Sequence, residues 1–389
     1  MAFNFDECID RRHSDSYKWQ KYAGRDVIPL WVADTDFRSP PCIIEALRAR
    51  VEHGVFGYGS SPTDLTEIFI QRMRERYQWE VKAEWLVFLP GLVSGLHLAV
   101  RALTAANEAV VIPNPIYPPF RAAARSAGRE QRLAPMRRDA DRWCVDFAGT
   151  DPALTGNERL LMLCNPHNPG GSAYRREELL QHRAFAREHD LLVCSDEIHC
   201  DLLLTPGLRH IPFASLDEYA AQRSITLMSP SKSFNIAGLG ASVAVIPNAR
   251  LRMKFAAQRA GLVPAVDVLA LCAANAAWRG GQDWLAAQID YLRRNRDRLR
   301  ARLRDMPGLT LAGPEATYLA WIDASGLGVA DPHAFFEQAG VGLSAGADFG
   351  DRRFVRLNFG CTRRVLDAAL ARMAQAIDRA NPHSGSLTQ

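Results

Sequence analysis

Short apolar runs recur along the first two thirds of the chain, at Trp85–Leu89, Ala109–Ile112, Leu160–Cys164, Leu191–Ser195, Ser224–Met228 and Ala241–Ile246. Each has the length of a strand and little polar interruption, the pattern of a strand buried on both faces. Between them lie stretches such as Ser94–Leu103 and Glu177–His189, whose apolar positions fall at helical spacing. Strands alternating with helices predict a mostly parallel sheet covered on both sides, an α/β fold. Beyond residue 280 the rhythm changes. A long helical pattern over Trp284–Met306 stops at Pro307-Gly308. Strand-like Tyr318–Ile322, glycine-rich Gly340–Gly350, strand-like Phe354–Phe359 and a last helix over Arg364–Ala380 then predict a smaller α+β unit. The first residues are poorly periodic and rich in Pro, Asp and aromatics. The expected division is an N-terminal arm over 1–49 packed on the small domain, a large α/β domain over 50–284 and a small α+β domain over 285–389. The tail His383–Gln389 is expected to be disordered.

Charge narrows the partners. The chain has 47 Lys and Arg against 43 Asp and Glu, a net charge of +4, with no polybasic tail. Its densest basic stretch, Tyr291–Arg304, is interleaved with Leu292, Leu299 and Leu303 and predicts the solvated face of an amphipathic helix. Neither nucleic acid nor a membrane surface is an expected partner. Eight scattered cysteines without a CxxC pair point to reduced thiols. The N-terminus carries acidic residues where a signal peptide needs positive ones, and no apolar run reaches the length of a membrane span. The expectation is a soluble cytoplasmic protein acting on a small molecule.

Chemistry concentrates at three strand ends. Ser229-Pro230-Ser231-Lys232-Ser233 follows one predicted strand, Asp196-Glu197-Ile198-His199 ends a second, and Asn165-Pro166-His167-Asn168-Pro169-Gly170 follows a third. The carboxyl ends of strands are where α/β folds bind ligands. A lysine there can form an imine with an aldehyde cofactor while hydroxyls such as those of Ser229 and Ser231 bind its phosphate. A carboxylate at Asp196 suits the pyridinium nitrogen of pyridoxal 5'-phosphate (PLP), because an ion pair keeps that ring protonated and able to absorb electrons. The Asn168 amide and the His199 ring can both hydrogen-bond its phenolic oxygen. Taken alone, Lys232 would be a surface lysine, Asp196 a helix cap and Asn168 a turn residue. Their order and common placement make that joint coincidence improbable.

With 28 residues from Asn168 to Asp196 and 36 from Asp196 to Lys232, the chain resembles fold-type I PLP enzymes of the class I/II aminotransferase superfamily, over about Phe5 to Ala380. The resemblance implies a PLP-dependent transferase-like fold and adds site residues. Leu92 and Val93, after Pro90-Gly91, match the strand-to-helix turn that receives the cofactor phosphate on backbone N–H groups. Tyr117 matches the aromatic that stacks on the cofactor ring. Tyr58, in Phe56-Gly57-Tyr58-Gly59, matches a tyrosine that reaches the phosphate of the neighbouring subunit, which implies a homodimer with shared active sites. Arg356 matches the arginine that clamps the substrate carboxylate, and Ala33 a substrate-binding position of the arm. The segments Ile9-Asp10-Arg11-Arg12, Ser14–Trp19 and Leu30–Phe37, with Asp196–Leu202 and Ser233–Leu239, resemble the MalY/PatB group of C–S lyases. That implies α,β-elimination on cystathionine or another cysteine S-conjugate, with Lys232 as the base. Transamination with a 2-oxo acid, and a regulatory role through protein contacts, are the alternatives. Two departures stand out. Thr35 replaces a more usual Met, which bears on a substrate-side wall, and Gly240 stands where many aminotransferases carry an arginine for the phosphate.

Overall fold

The computed structural model describes residues 3–380, so the tail from His383 lies outside the described residues. Fourteen strands, numbered in chain order, form three sheets there. The shortest pairs β1 (Ile28–Pro29) in parallel with β12 (Val341–Gly342). The largest contains β2 (Leu86–Leu89), β3 (Ala109–Asn114), β4 (Glu130–Asp139), β5 (Arg142–Val145), β6 (Glu158–Cys164), β7 (Leu192–Asp196), β8 (Ser224–Met228) and β9 (Ser242–Val245). Their spatial order is β2-β9-β8-β7-β6-β3-β4-β5. The run β8-β7-β6-β3-β4 is parallel; β9 and β5 join its two ends antiparallel, and β2 pairs antiparallel with β9. The expected mostly parallel sheet is present.

Side chains alternate across a strand, so one apolar run can serve two helical layers. Val110 and Ile112 of β3, Leu160 and Met162 of β6, and Leu192 and Cys194 of β7 pack on one face. There they meet Leu96 and Ala99 of the helix Leu92–Leu103, Phe120 of Pro118–Ser126 and Phe255 of Ala249–Arg259. Val111, Leu161, Leu163 and Val193 face the opposite way, against Leu179 and Phe185 of the helix Arg176–Glu188. Each such side chain, taken fully out of water, contributes about 1.5–3 kcal/mol before entropy is counted.

The third sheet is antiparallel, in the order β10 (Thr310–Leu311), β11 (Leu319–Asp323), β14 (Phe354–Asn358), β13 (Ser344–Ala345). The arm reaches it just past β1, where Asn358 N–H donates to Leu30 O at 2.9 Å. Two expected boundaries fall inside helices. Pro41–Glu52 runs through 49/50 and packs on the helix Val268–Gly280, and Gln282–Arg304 runs unbroken through 284/285. Residues 41–49 therefore sit with a helix of residues 268–280, because Pro41 at the first helical turn starts a stripe in which Ile43 is buried. Among the described residues no helix is long and apolar enough to cross a membrane.

Candidate active site

Because β6, β7 and β8 are parallel neighbours, in register at Cys164–Asp196 and Asp196–Leu227, the loops beyond them leave the sheet on one edge. They open on a cavity of about 230 Å³. Lining it are Ala33, Leu92, Val93, Tyr117, Asn168, Asp196, His199, Ser229, Ser231 and Lys232, ten of the twelve residues expected from the sequence. Arg356 adjoins it. Tyr58 does not: it stands fully exposed on this chain.

Lys232 Nζ donates to Ala33 O at 2.6 Å, and Tyr318 Oη donates to the same carbonyl at 3.0 Å. Burial pulls the Lys232 amine down to about 8, with Asp34 and Asp196 opposing the fall and Arg356 adding to it. The loop that carries it is anchored through Ser233, which donates to Asp201 at 3.0 Å. Asp201 also accepts from Arg72 at 2.7 Å and Tyr77 at 2.6 Å. Burial alone would raise its carboxyl, but Arg72 and Arg76 hold it well below the usual range. Ser229 donates to Ala241 O at 2.6 Å and lies 2.9 Å from the Ser231 hydroxyl.

Opposite this loop the helix Leu92–Leu103 starts without a side-chain cap, so its first N–H groups have no intrahelical partner. Gly91 has φ 120°, which a side chain would strain, and Leu92, Val93 and Ser94 line the cavity. Gly240 has φ 51°, and a Cβ there would lie 3.3 Å from Pro90 O. The local backbone explains why this position holds glycine and not arginine. Thr35 does not line the cavity: its N–H donates to Asn235 Oδ1 at 3.0 Å and its side chain packs on Gly360.

Arg356 is buried between the two halves of the site. It donates to Asn168 Oδ1 at 3.0 Å, Trp31 O at 2.7 Å and Ser344 Oγ at 3.2 Å, with its guanidinium 4.6 Å over the Phe349 ring. Burial pulls it down to about 10, so it stays cationic at neutral pH. Burial likewise takes His199 down to about 3, with Lys232 and Arg356 adding to the fall, which leaves a neutral ring.

This arrangement suits PLP on three counts. Buried His199 Nδ1 has no hydrogen-bond partner among the described residues. Among the described residues the Asp196 carboxylate has only Ile198 N–H, at 3.1 Å, and burial pushes it up to about 7, with Glu197 adding to the rise. A cation placed beside Asp196 would offset that desolvation. The bare helix start and the Ser229–Ser231 pair lie where a phosphate would be held.

Tyr318, Asn235 and Asn358 belong to this neighbourhood and were not singled out from the sequence. Tyr318 opens a strand-like run, and it and the two asparagines act on backbone carbonyls, which carry no sequence signal. In the structure Asn235 adopts φ 55°, a left-handed conformation that asparagine tolerates.

Relatives of known description share this framework. Cystathionine beta-lyase PatB of Bacillus subtilis is 38% identical over 391 residues, spanning 96% of this chain and all of that one. A solved structure described as OvoB is 61% identical with a TM-score of 0.95, covering 96% of this chain and 99% of that one. Cystalysin from Treponema denticola, whose structure contains a pyridoxal 5'-phosphate cofactor, is 30% identical with a TM-score of 0.92, over 97% and 100% of the two chains. Residues 25–373, carrying the cavity, Lys232 and Arg356, match the family described as aminotransferase class I and II. By that match and by its full-length likeness to PatB, this chain belongs to the class I and II aminotransferase family.

Proposed function

We propose that the protein is a PLP-dependent C–S β-lyase that cleaves cystathionine or a related cysteine S-conjugate. The observation that carries this reading is one cavity in which a buried lysine amine, a buried carboxylate and an asparagine bonded to a buried arginine converge. The likeness to PatB, a cystathionine beta-lyase, favours elimination over amino-group transfer. The balanced reaction takes the S-conjugate and water to a thiol, pyruvate and ammonium.

Bound PLP supplies an electron-accepting ring that stabilises negative charge at the substrate Cα. Asp196 would hold the proton of its ring nitrogen, Asn168 and His199 would donate to its phenolic oxygen, and Tyr117 would cover its face. Lys232 would carry it, and its amine would take the proton from the substrate Cα. Arg356 orients the substrate carboxylate so that this C–H bond is the one that breaks. The thiolate then leaves from Cβ.

A homodimer completes the reading. Tyr58 is fully exposed, and Val55 and Phe56 near it in sequence are exposed as well, apolar surface that supports a second copy covering it. A cytoplasmic location accords with eight unpaired cysteines.

Pyruvate release from cystathionine, with and without an added 2-oxo acid, tests the reading. Release without the oxo acid is expected, and its near loss in Lys232→Ala. Turnover that requires the oxo acid would make the protein an aminotransferase instead.

A further inference from the structure

The segment Trp31–Phe37 joins no sheet, yet its carbonyls are taken in succession by side chains. Arg356 donates to Trp31 O at 2.7 Å. Asn358, two residues further along β14, donates to Val32 O at 2.6 Å and to Asp34 O at 2.7 Å, and accepts from Gly360 N–H at 2.7 Å. From the other side Asn235, three residues after Lys232, donates to Thr35 O at 3.1 Å and Phe37 O at 2.7 Å and accepts from Thr35 N–H. Each carboxamide thus makes three hydrogen bonds, two as donor and one as acceptor, so neither can rotate without losing all of them. Ala33 lies between the two carbonyls that Asn358 holds and two residues before the first that Asn235 holds, and its own carbonyl meets Lys232 Nζ at 2.6 Å and Tyr318 Oη at 3.0 Å.

We infer that Asn235 and Asn358 are positioning residues for the Lys232 amine: by gripping Val32–Phe37 from opposite sides they fix the Ala33 carbonyl where it receives the ammonium formed when Lys232 takes the Cα proton. This rests on the reading of Lys232 as the base. The step is a plain proton transfer, in which the Cα–H bond breaks and an N–H bond forms on Nζ. A carbonyl oxygen can only accept, so it favours the ammonium over the amine. The other charged or titratable groups facing the amine are Asp34, Asp196, Arg356, His199 and Tyr318; Asn235 bonds none of them, and Asn358 holds only the backbone carbonyl of Asp34, which makes the Asn235 variant the cleaner of the two.

The test reads Lys232 directly. The full-length protein freed of cofactor is pulse-labelled with acetic anhydride across pH, and acetylation of the Lys232 peptide is followed by mass spectrometry. The wild-type midpoint is expected near 8, the value to which burial brings the amine. Asn235→Gly keeps the left-handed backbone and deletes the carboxamide. Asn358→Ser deletes the opposite grip. In each the midpoint is expected to fall by about one unit or more, the size of a hydrogen bond to a charged group. In the holoenzyme Asn235→Gly is expected to lower kcat about tenfold while KM for cystathionine stays within about twofold, because Arg356 is untouched. Either variant, folded by circular dichroism yet labelling with the wild-type midpoint, would overturn the inference, and the two act independently should one not fold. Borohydride reduction of the holoenzyme separates the other failure: cofactor fixed on a different lysine would sink the assignment of Lys232 itself.

Discussion

Above about pH 7 the protein without its cofactor holds, at Asp196, a buried anion with no cationic side chain in hydrogen-bond contact among the described residues. Its folded value lies above the 3.8 of an ordinary aspartate, so its contribution to stability is full below pH 3.8 and is lost as pH rises through about 7. Three units correspond to an order of 2–4 kcal/mol at pH 8. Asp196→Asn keeps an oxygen for Ile198 N–H and removes the charge. The cofactor-free variant is therefore expected to be more stable than wild type at pH 8, with the gap closing by about pH 4, as urea unfolding at the two pH values would show. Its hold on PLP is expected to weaken, seen as faster loss of the cofactor absorption on dialysis. A variant no more stable than wild type at pH 8 would mean that solvent reaches the carboxylate. The same residue shows why much of the site was legible in the sequence. Asp196, Lys232 and Asn168 carry side-chain chemistry at strand ends, whereas Tyr318, Asn235 and Asn358 act on backbone carbonyls and leave no such mark.

At the scale of elements, the helix Leu92–Leu103 must lie close to the sheet for its bare N-terminus to reach the cavity. Gly95 permits this: a Cβ there would come 3.0 Å from Leu227 Cδ2 and 3.2 Å from Leu89 Cδ1. Gly95→Val is expected to destabilise the fold by about 1–3 kcal/mol through overpacking, read as a lower urea midpoint. Because the helix must move outward, PLP affinity is expected to fall with it. A variant with normal affinity and lowered stability would show the helix start to be independent of its packing. This helix and the strands β3, β6, β7 and β8 were readable because each buries a continuous or periodic apolar face. β4 and β5 were not: Glu130–Asp139 is mostly polar and partly solvated, and Arg142–Val145 is only 4 residues long, so no apolar run of strand length announced either. The helix Pro41–Glu52 was passed over because its stripe is narrow, with Ile43 alone fully buried.

For the whole molecule the unanswered residue is Tyr58, whose ring makes no contribution to the cavity of its own chain. In a dimer with shared sites, each site would combine Lys232 of one protomer with Tyr58 of the other. Two separately defective chains, Lys232→Ala and Tyr58→Ala, then carry complementary lesions. When they associate, one of the two sites receives both defects and the other receives neither, since its lysine comes from the Tyr58→Ala chain and its tyrosine from the Lys232→Ala chain. Random exchange of equal amounts gives half of the dimers as hybrids, and each hybrid has one intact site of two. Pyruvate release from cystathionine is therefore expected to recover to about one quarter of the wild-type value after co-refolding, well above either parent. Size-exclusion chromatography should place the active fraction at the dimer volume. If mixing restored nothing while hybrids demonstrably formed, Tyr58 would have to act within its own subunit or not at all, and the phosphate would be held by Ser229, Ser231 and the helix start without help from the partner.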